Sequence, residues 1–174
     1  QTSCLNNVKQ IMLAVLQYAQ DYDDTYPPGA LIALSPPAPS DGDEWDEVLS
    51  PYIKNDQVRR CPSNPSAVRG YGWNYQNFGY YHADHGNGWA TNESQIPAPA
   101  ETILIGDNPD PGMYGAGGRY IYGPKQSSPP ADGIGNVSGR HNDGANYGFC
   151  DGHGKWLSRT DAAGQDRLWT QAVD

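Results

Sequence analysis

Polar and apolar residues first alternate with a helical period. In QTSCLNNVKQIMLAVLQYAQDYDD, Leu5, Val8, Ile11, Met12, Val15, Leu16, Ala19 and Tyr22 recur at helical spacing, while Asn6, Asn7, Gln10, Gln17 and Gln20 take the opposite side. The spacing predicts an amphipathic helix from Thr2 to Asp23, about 30 Å long. Leu13 falls outside the apolar stripe, so the polar side is either plain solvent-facing surface or a second contact face. TYPPGALIALSPPAPSDGD follows, where Pro and Gly break regular structure. Glu44 to Ile53 reads as a short helix stopped near Pro51, with Trp45, Val48, Leu49 and Tyr52 on its packing side. Beyond it lies an aromatic and glycine-rich run ending in YGWNYQNFGYYHADHGNGW. Glu101 to Asp107 and Arg119 to Gly123 read as strands.

The closing RHNDGANYGFCDGHGKW holds two Asp-Gly pairs, Asp143-Gly144 and Asp151-Gly152, the dipeptide that two-residue hairpin turns favour. Two such turns predict a three-strand meander from Ser138 to Ser158, with His141 opposite Asn146 and Cys150 opposite His153. His141 and Asp151 would then lie roughly 17 Å apart, at opposite ends of the middle strand, too far to share a metal or a proton. The expectation is one α+β domain over residues 1–174. It divides into a helix at 1–24, a loop-rich region with a short helix at 25–100, an antiparallel sheet at 101–158 and a tail at 159–174.

Eleven basic against twenty acidic residues, a net charge of -9 without any basic cluster, argues against a nucleic-acid partner. Gly and Pro are abundant at 21 and 15, but twelve Tyr and five Trp supply enough apolar surface for a packed, loop-rich globule. No apolar run reaches the roughly 20 residues of a membrane span. G-x-S-x-G, P-loop, G-x-G-x-x-G and H-E-x-x-H patterns are all missing, and Ser138 and His141, three apart on a strand, point to opposite faces. The sequence therefore reads as a non-enzyme. Asp107, Asn108 and Asp110 are weak calcium candidates beside solvated turn residues as the alternative; His82, Asp84 and His85 are weaker zinc candidates. Otherwise no cofactor is expected.

SCLNNVKQIMLAVLQYAQDYDDTYPP, RRCPS, AETILIGD and the terminal RHNDGANYGFCDGHGKWL together resemble the bacterial type IV pilin-like and pseudopilin proteins with a prepilin-type N terminus and a C-terminal H-x9-DG motif. His141, Asp151 and Gly152 match that motif. The resemblance implies a pilin-like fold, a long N-terminal helix laid across an antiparallel sheet. It further implies a subunit of a type IV pilus-like or type II secretion pseudopilus-like filament. Such a subunit is anchored in the inner membrane before assembly, self-associates through its helix and an apolar upstream segment, and packs with other pilin-like subunits at the cell surface. Calcium in a C-terminal loop, as in some secretion pseudopilins, is a further implication, although the Asp107 loop lies elsewhere. The chain begins at Gln, without the cleavage site, early acidic residue or apolar anchor of the pattern, so the expectation is that a segment has been removed upstream.

A cell-surface location permits a disulfide. Cys4 with Cys61 is the favoured pair, worth roughly 4 kcal/mol in the chain-entropy model, against three buried thiols; Cys150 reads as a small core residue. His141 is expected to organise the hairpin near Asn146 through hydrogen bonds and packing, without a chemical role. Leu13, Tyr80, Tyr81 and Trp89 are the candidate interface residues. Two functions compete: a structural filament subunit, and a cell-surface module that binds a glycan or protein through aromatic faces. The first predicts that these 174 residues alone are a monomer or weak dimer.

Overall fold

The computed structural model describes residues 1–32, 44–65, 67, 69–74, 78, 80–82, 91–108, 120–124 and 137–169. Helix α1 spans Thr2–Asp21 and buries Val8, Ile11, Met12, Val15 and Ala19 of the expected stripe, with Cys4 and Ala14 beside them, while Leu5 and Leu16 are half-buried and Tyr22 is exposed. It stops two residues short of Asp23 because Asp23 and Asp24 take left-handed φ values of 51° and 56°, a conformation that Asp tolerates better than most residues. Strand β1 (Ala30–Ile32) and the single-turn helix α2 (Trp45–Val48) follow. Helix α2 has a reciprocal cap between Glu44 and Glu47. It ends well short of the expected Ile53; Trp45 and Asp46 are buried on it, and Leu49 and Ile53 are buried just beyond its end.

The remaining elements are β2 (Tyr71–Asn74), β3 (Tyr80–His82), β4 (Ile103–Asp107), β5 (Tyr120–Ile121), β6 (Gly144–Phe149), β7 (Gly154–Ser158) and helix α3 (Arg159–Ala163). Strands β1 and β3 form a small parallel pair, and the main sheet runs β5-β2-β4-β6-β7. The fold is α+β, but the sheet is mixed where an antiparallel one is expected: β5 runs parallel to β2, while every other main-sheet pairing is antiparallel. Nor is the sheet confined to 101–158. Strand β2 comes from the region read as loop, its four residues all buried between β4 and β5. Trp73 stacks on Trp45 at 5.5 Å, and its indole N–H donates to the Phe78 carbonyl at 2.8 Å. Burial of this kind is why an aromatic, Gly-interrupted strand shows no polar alternation.

Both faces of β6 are covered. Ala145, Tyr147 and Phe149 join a cluster with Ile103, Ile121, Ala162, Leu168 and Trp169. The C-terminal region is therefore no loose tail as far as Trp169: Ser158 caps α3 by accepting from Asp161 N at 2.9 Å, and Trp169 is buried with its indole N–H on the Ala162 carbonyl at 2.8 Å. The alternate residues of β6 turn toward α1, which packs on β6 and β7. A Cβ at Gly148 would stand 2.6 Å from Met12 Cγ, so the glycine lets the helix settle onto the strand.

Candidate functional site

The two halves of the H-x9-DG stretch sit at opposite ends of β6 and have different partners. The first turn differs from expectation. Left-handed φ values fall at Asn142 (57°) and Asp143 (54°) rather than at Asp143 and Gly144, and the backbones of His141 and Gly144 exchange hydrogen bonds at 3.2 Å. His141 therefore faces Gly144, not Asn146, and among the described residues ahead of it a lone bridge, Arg140 to Gly144, stands where a third strand is expected. Gly144 serves packing: a Cβ there would meet Trp156 Cζ2 at 2.4 Å.

The second turn holds three residues, Cys150 to Gly152. Phe149 N donates to His153 O at 2.9 Å, so His153 faces Phe149 rather than Cys150. Gly152 takes φ +94°; a glycine in the left-handed region after a tight turn is the three-residue hairpin form. Asp151 Oδ1 accepts from His153 N at 3.1 Å and lies 2.6 Å from His153 Nδ1. Both side chains are well exposed, at 37% and 41%. The Asp151 side chain thus serves the turn locally, while its backbone N–H donates to the Pro99 carbonyl at 3.3 Å.

At the other end His141 is buried. Its Nε2 lies 3.4 Å from Asp107 Oδ2 and 3.6 Å from Cys61 Sγ, and its carbonyl accepts from Trp156 Nε1 at 2.8 Å. Asp107, at the end of β4, accepts at the same Oδ2 from Asn146 N at 2.6 Å and from Asn146 Nδ2 at 2.9 Å. Asp107 Oδ1 is buried and has no hydrogen-bond partner among the described residues. Burial pushes the Asp107 carboxyl up and the His141 imidazole down, so each tends toward its neutral form. Cys4, in the first turn of α1, completes the group: Cys4 Sγ, Cys61 Sγ and one ring nitrogen of His141 all lie within 4.8 Å of one another.

Two long-range hydrogen bonds, a short turn and a close backbone approach hold these side chains. Tyr71 Oη donates to the Cys4 carbonyl at 3.1 Å, and Asn7 Nδ2 donates to the Arg60 carbonyl at 3.0 Å, tying α1 to the segment that carries Cys61. A short 3-10 turn, Asp56–Arg59, leads into Cys61. Gly70 lies against that segment so closely that a Cβ would meet Cys61 N at 2.2 Å. The pocket between α1 and this segment is lined by Asn7, Gln10, Gln57, Arg60 and Cys61.

The remaining sequence candidates are scattered. Cys4 and Cys61 are side by side as free thiols, and Cys150 is buried apart from them in the core. Asp107 and Asn108 are buried rather than held out on an open loop; Asp110 lies outside the described residues, as do Asp84, His85 and Trp89. Tyr80, Tyr81 and His82 form β3, with their side chains outside the description. Leu13 is 57% exposed on α1, with Tyr22 at 54%. Cys4 beside Cys61 is a pairing the sequence reading offers, but their meeting with His141 and Asp107 escapes it, because the residues come from four separate segments and no spacing rule links them.

The fold and site thus define an α+β protein whose N-terminal helix is docked on a mixed sheet, with a buried Cys/Cys/His/Asp group at one end of the central hairpin. The model of a family described as Protein of unknown function (DUF1559) matches residues 1–59, which include α1, α2 and their connection. No curated protein and no solved structure matches the chain.

Proposed function

We propose that this chain is the globular headpiece of a pilin-like structural subunit, of a type IV pilus-like or type II secretion pseudopilus-like filament. The carrying observation is the division of α1: one stripe is buried in the domain while Leu13 stands out on the opposite side, free to meet a neighbouring subunit. The family match falls on this helix and the segment after it, and the pilin-like resemblance rests on this helix together with RRCPS, AETILIGD and the C-terminal hairpin. No helix among the described residues is long and apolar enough to cross a membrane; the reading assigns anchoring and most filament cohesion to an apolar segment ahead of Gln1. The subunit acts through assembly, without catalysis, at the cell surface.

The alternative, a surface module binding glycan or protein through aromatic faces, loses part of its support. Tyr71, Trp73 and Phe78 of the aromatic run are core residues, which leaves Tyr75, Tyr80, Tyr81 and Trp89 to carry it.

Sedimentation of two forms tests the proposal. The 174-residue chain is expected to stay a monomer or weak dimer at micromolar concentration, and the whole gene product to sediment with membranes or filaments. Leu13→Glu should leave the circular dichroism of the domain unchanged and reduce filament yield. A tight oligomer of the 174 residues, or a whole product that is freely soluble, overturns the reading.

A further inference from the structure

We infer that Cys4, Cys61 and His141 form a metal site for a thiophilic dication, zinc(II) before others, with Asp107 beside His141 as a neighbouring carboxylate. Two thiol sulfurs and an imidazole nitrogen, carried by residues far apart in the chain, meet within 4.8 Å of one another. Cys4 and Cys61 are fully buried and His141 is 4% exposed. Bonds of about 2.3 Å to sulfur and about 2.0 Å to nitrogen, at a tetrahedral angle, place the two ligand atoms about 3.5 Å apart. Cys61 Sγ and His141 Nε2 are 3.6 Å apart, so the pair is already near the separation an ion imposes.

Ligand softness narrows the choice of ion. Thiolate and imidazole select zinc(II) or copper(I) over calcium and magnesium, which need oxygen-rich shells. Asp107 favours zinc, which accepts carboxylate oxygen in mixed sets. Its Oδ2 is 3.4 Å from the same His141 nitrogen, and its Oδ1 is buried with no hydrogen-bond partner among the described residues. Binding is a simple exchange: each thiol passes its proton to solvent as a zinc–sulfur bond forms, and nothing is oxidised or reduced.

A Cys4–Cys61 disulfide is the competing fate. It would consume both thiols, pass two electrons and two protons to an oxidant such as a disulfide-donating oxidoreductase, and leave the imidazole only its Asp107 neighbour. The ion uses all three groups and joins the start of α1, the segment before Gly70 and the approach to β6 at one point. The inference stands independently of the filament reading, since it concerns the interior of the headpiece.

The test uses the whole 174-residue chain, reduced and stripped with a chelator, then titrated with cobalt(II) and zinc(II). The expected result is one equivalent of cobalt per chain with a thiolate-to-cobalt charge-transfer band, which zinc abolishes by displacement. Cys61→Ser and His141→Ala should lose that equivalent, and Cys150→Ala should keep it. Zinc should also protect Cys4 and Cys61 of the unsubstituted chain from alkylation, mapped by peptide mass, a reading that needs no variant to fold. Absence of both the cobalt band and zinc protection overturns the inference. So does uptake that survives Cys61→Ser and His141→Ala, or a Cys4–Cys61 disulfide in protein purified with zinc present throughout.

Discussion

The two ends of strand β6 carry the two halves of one short motif, yet opposite physics holds them. At the Asp151-Gly152 end, the side chain of Asp151 bonds a residue two positions away, and both it and His153 are well exposed. At the His141 end, the imidazole is buried and its neighbours, Asp107 and Cys61, come from distant parts of the chain. The nine-residue spacing thus measures the length of one strand with its turns. One half of the motif shapes a turn that solvent can partly replace; the other closes a junction among α1, β4 and the hairpin that solvent cannot reach. Equal prominence in sequence therefore conceals unequal energetic weight.

The sharpest way to break this comparison is to remove the carboxylate from each end in turn, in reductant and chelator so that metal plays no part. Asp107→Ala strips Asn146 N and Nδ2 of their common acceptor and takes the acidic neighbour from His141, all in the interior. Orphaning buried donors and breaking a buried pair costs about 3 kcal/mol. Urea denaturation should show that loss as a lowered midpoint, and a loss no larger than that of Asp151→Ala would show the two ends to be equivalent after all.

Between the two ends lies the seat of the helix, and it should respond at an intermediate level. Gly148→Ala places a methyl 2.6 Å from Met12 Cγ and 2.9 Å from Ile105 Cγ1, both on fully buried side chains. Overpacking of this kind costs about 2 kcal/mol. If helix and strand touch here, the double variant Gly148→Ala with Met12→Ala should be more stable than the sum of the single losses predicts, by about 1 kcal/mol. Strict additivity would mean that α1 does not rest on β6 at this point.

Chain positions with local causes were legible in the sequence, and those with distant causes were not. The middle of α1 follows its period, with Val8, Ile11, Met12, Val15 and Ala19 buried, because burial against a sheet selects every third or fourth side chain. The hairpin was legible as a hairpin, but its register was not. Asn142 and Asp143 both accept left-handed φ, so the turn falls one residue earlier than Asp143-Gly144 suggests, while Gly144 is claimed by the ring of Trp156. Strand β2 was hidden because YGWN is buried throughout, which leaves no alternation to read. Cys4 paired with Cys61, His141 in its motif and Asp107 as an oxygen ligand were three separate readings, and the fold gathers all four residues in one place. Only tertiary contact could join them.

The exposed end should yield the smallest effects, and its two residues should differ from each other. Gly152→Ala meets two obstacles, a φ of +94° that an L side chain rarely adopts and Leu16 Cδ1 at 2.5 Å from the new methyl; a loss of about 1.5 kcal/mol is expected. Asp151→Ala removes an acceptor from His153 N and the 2.6 Å contact with its ring nitrogen. Water can take over both, and exposed pairs contribute little, so the loss should be about 0.5 kcal/mol. Asp151→Asn makes the distinction finer, because an amide oxygen still accepts from His153 N while the charge is gone. If Asp151 serves only to shape the turn, Asp151→Asn should match the unsubstituted chain within experimental scatter in urea midpoint, and Asp151→Ala should not. An Asp151→Asn loss as large as that of Asp107→Ala would instead mean that the charge at this end takes part in something beyond the turn, and the contrast between the two ends of β6 would fail.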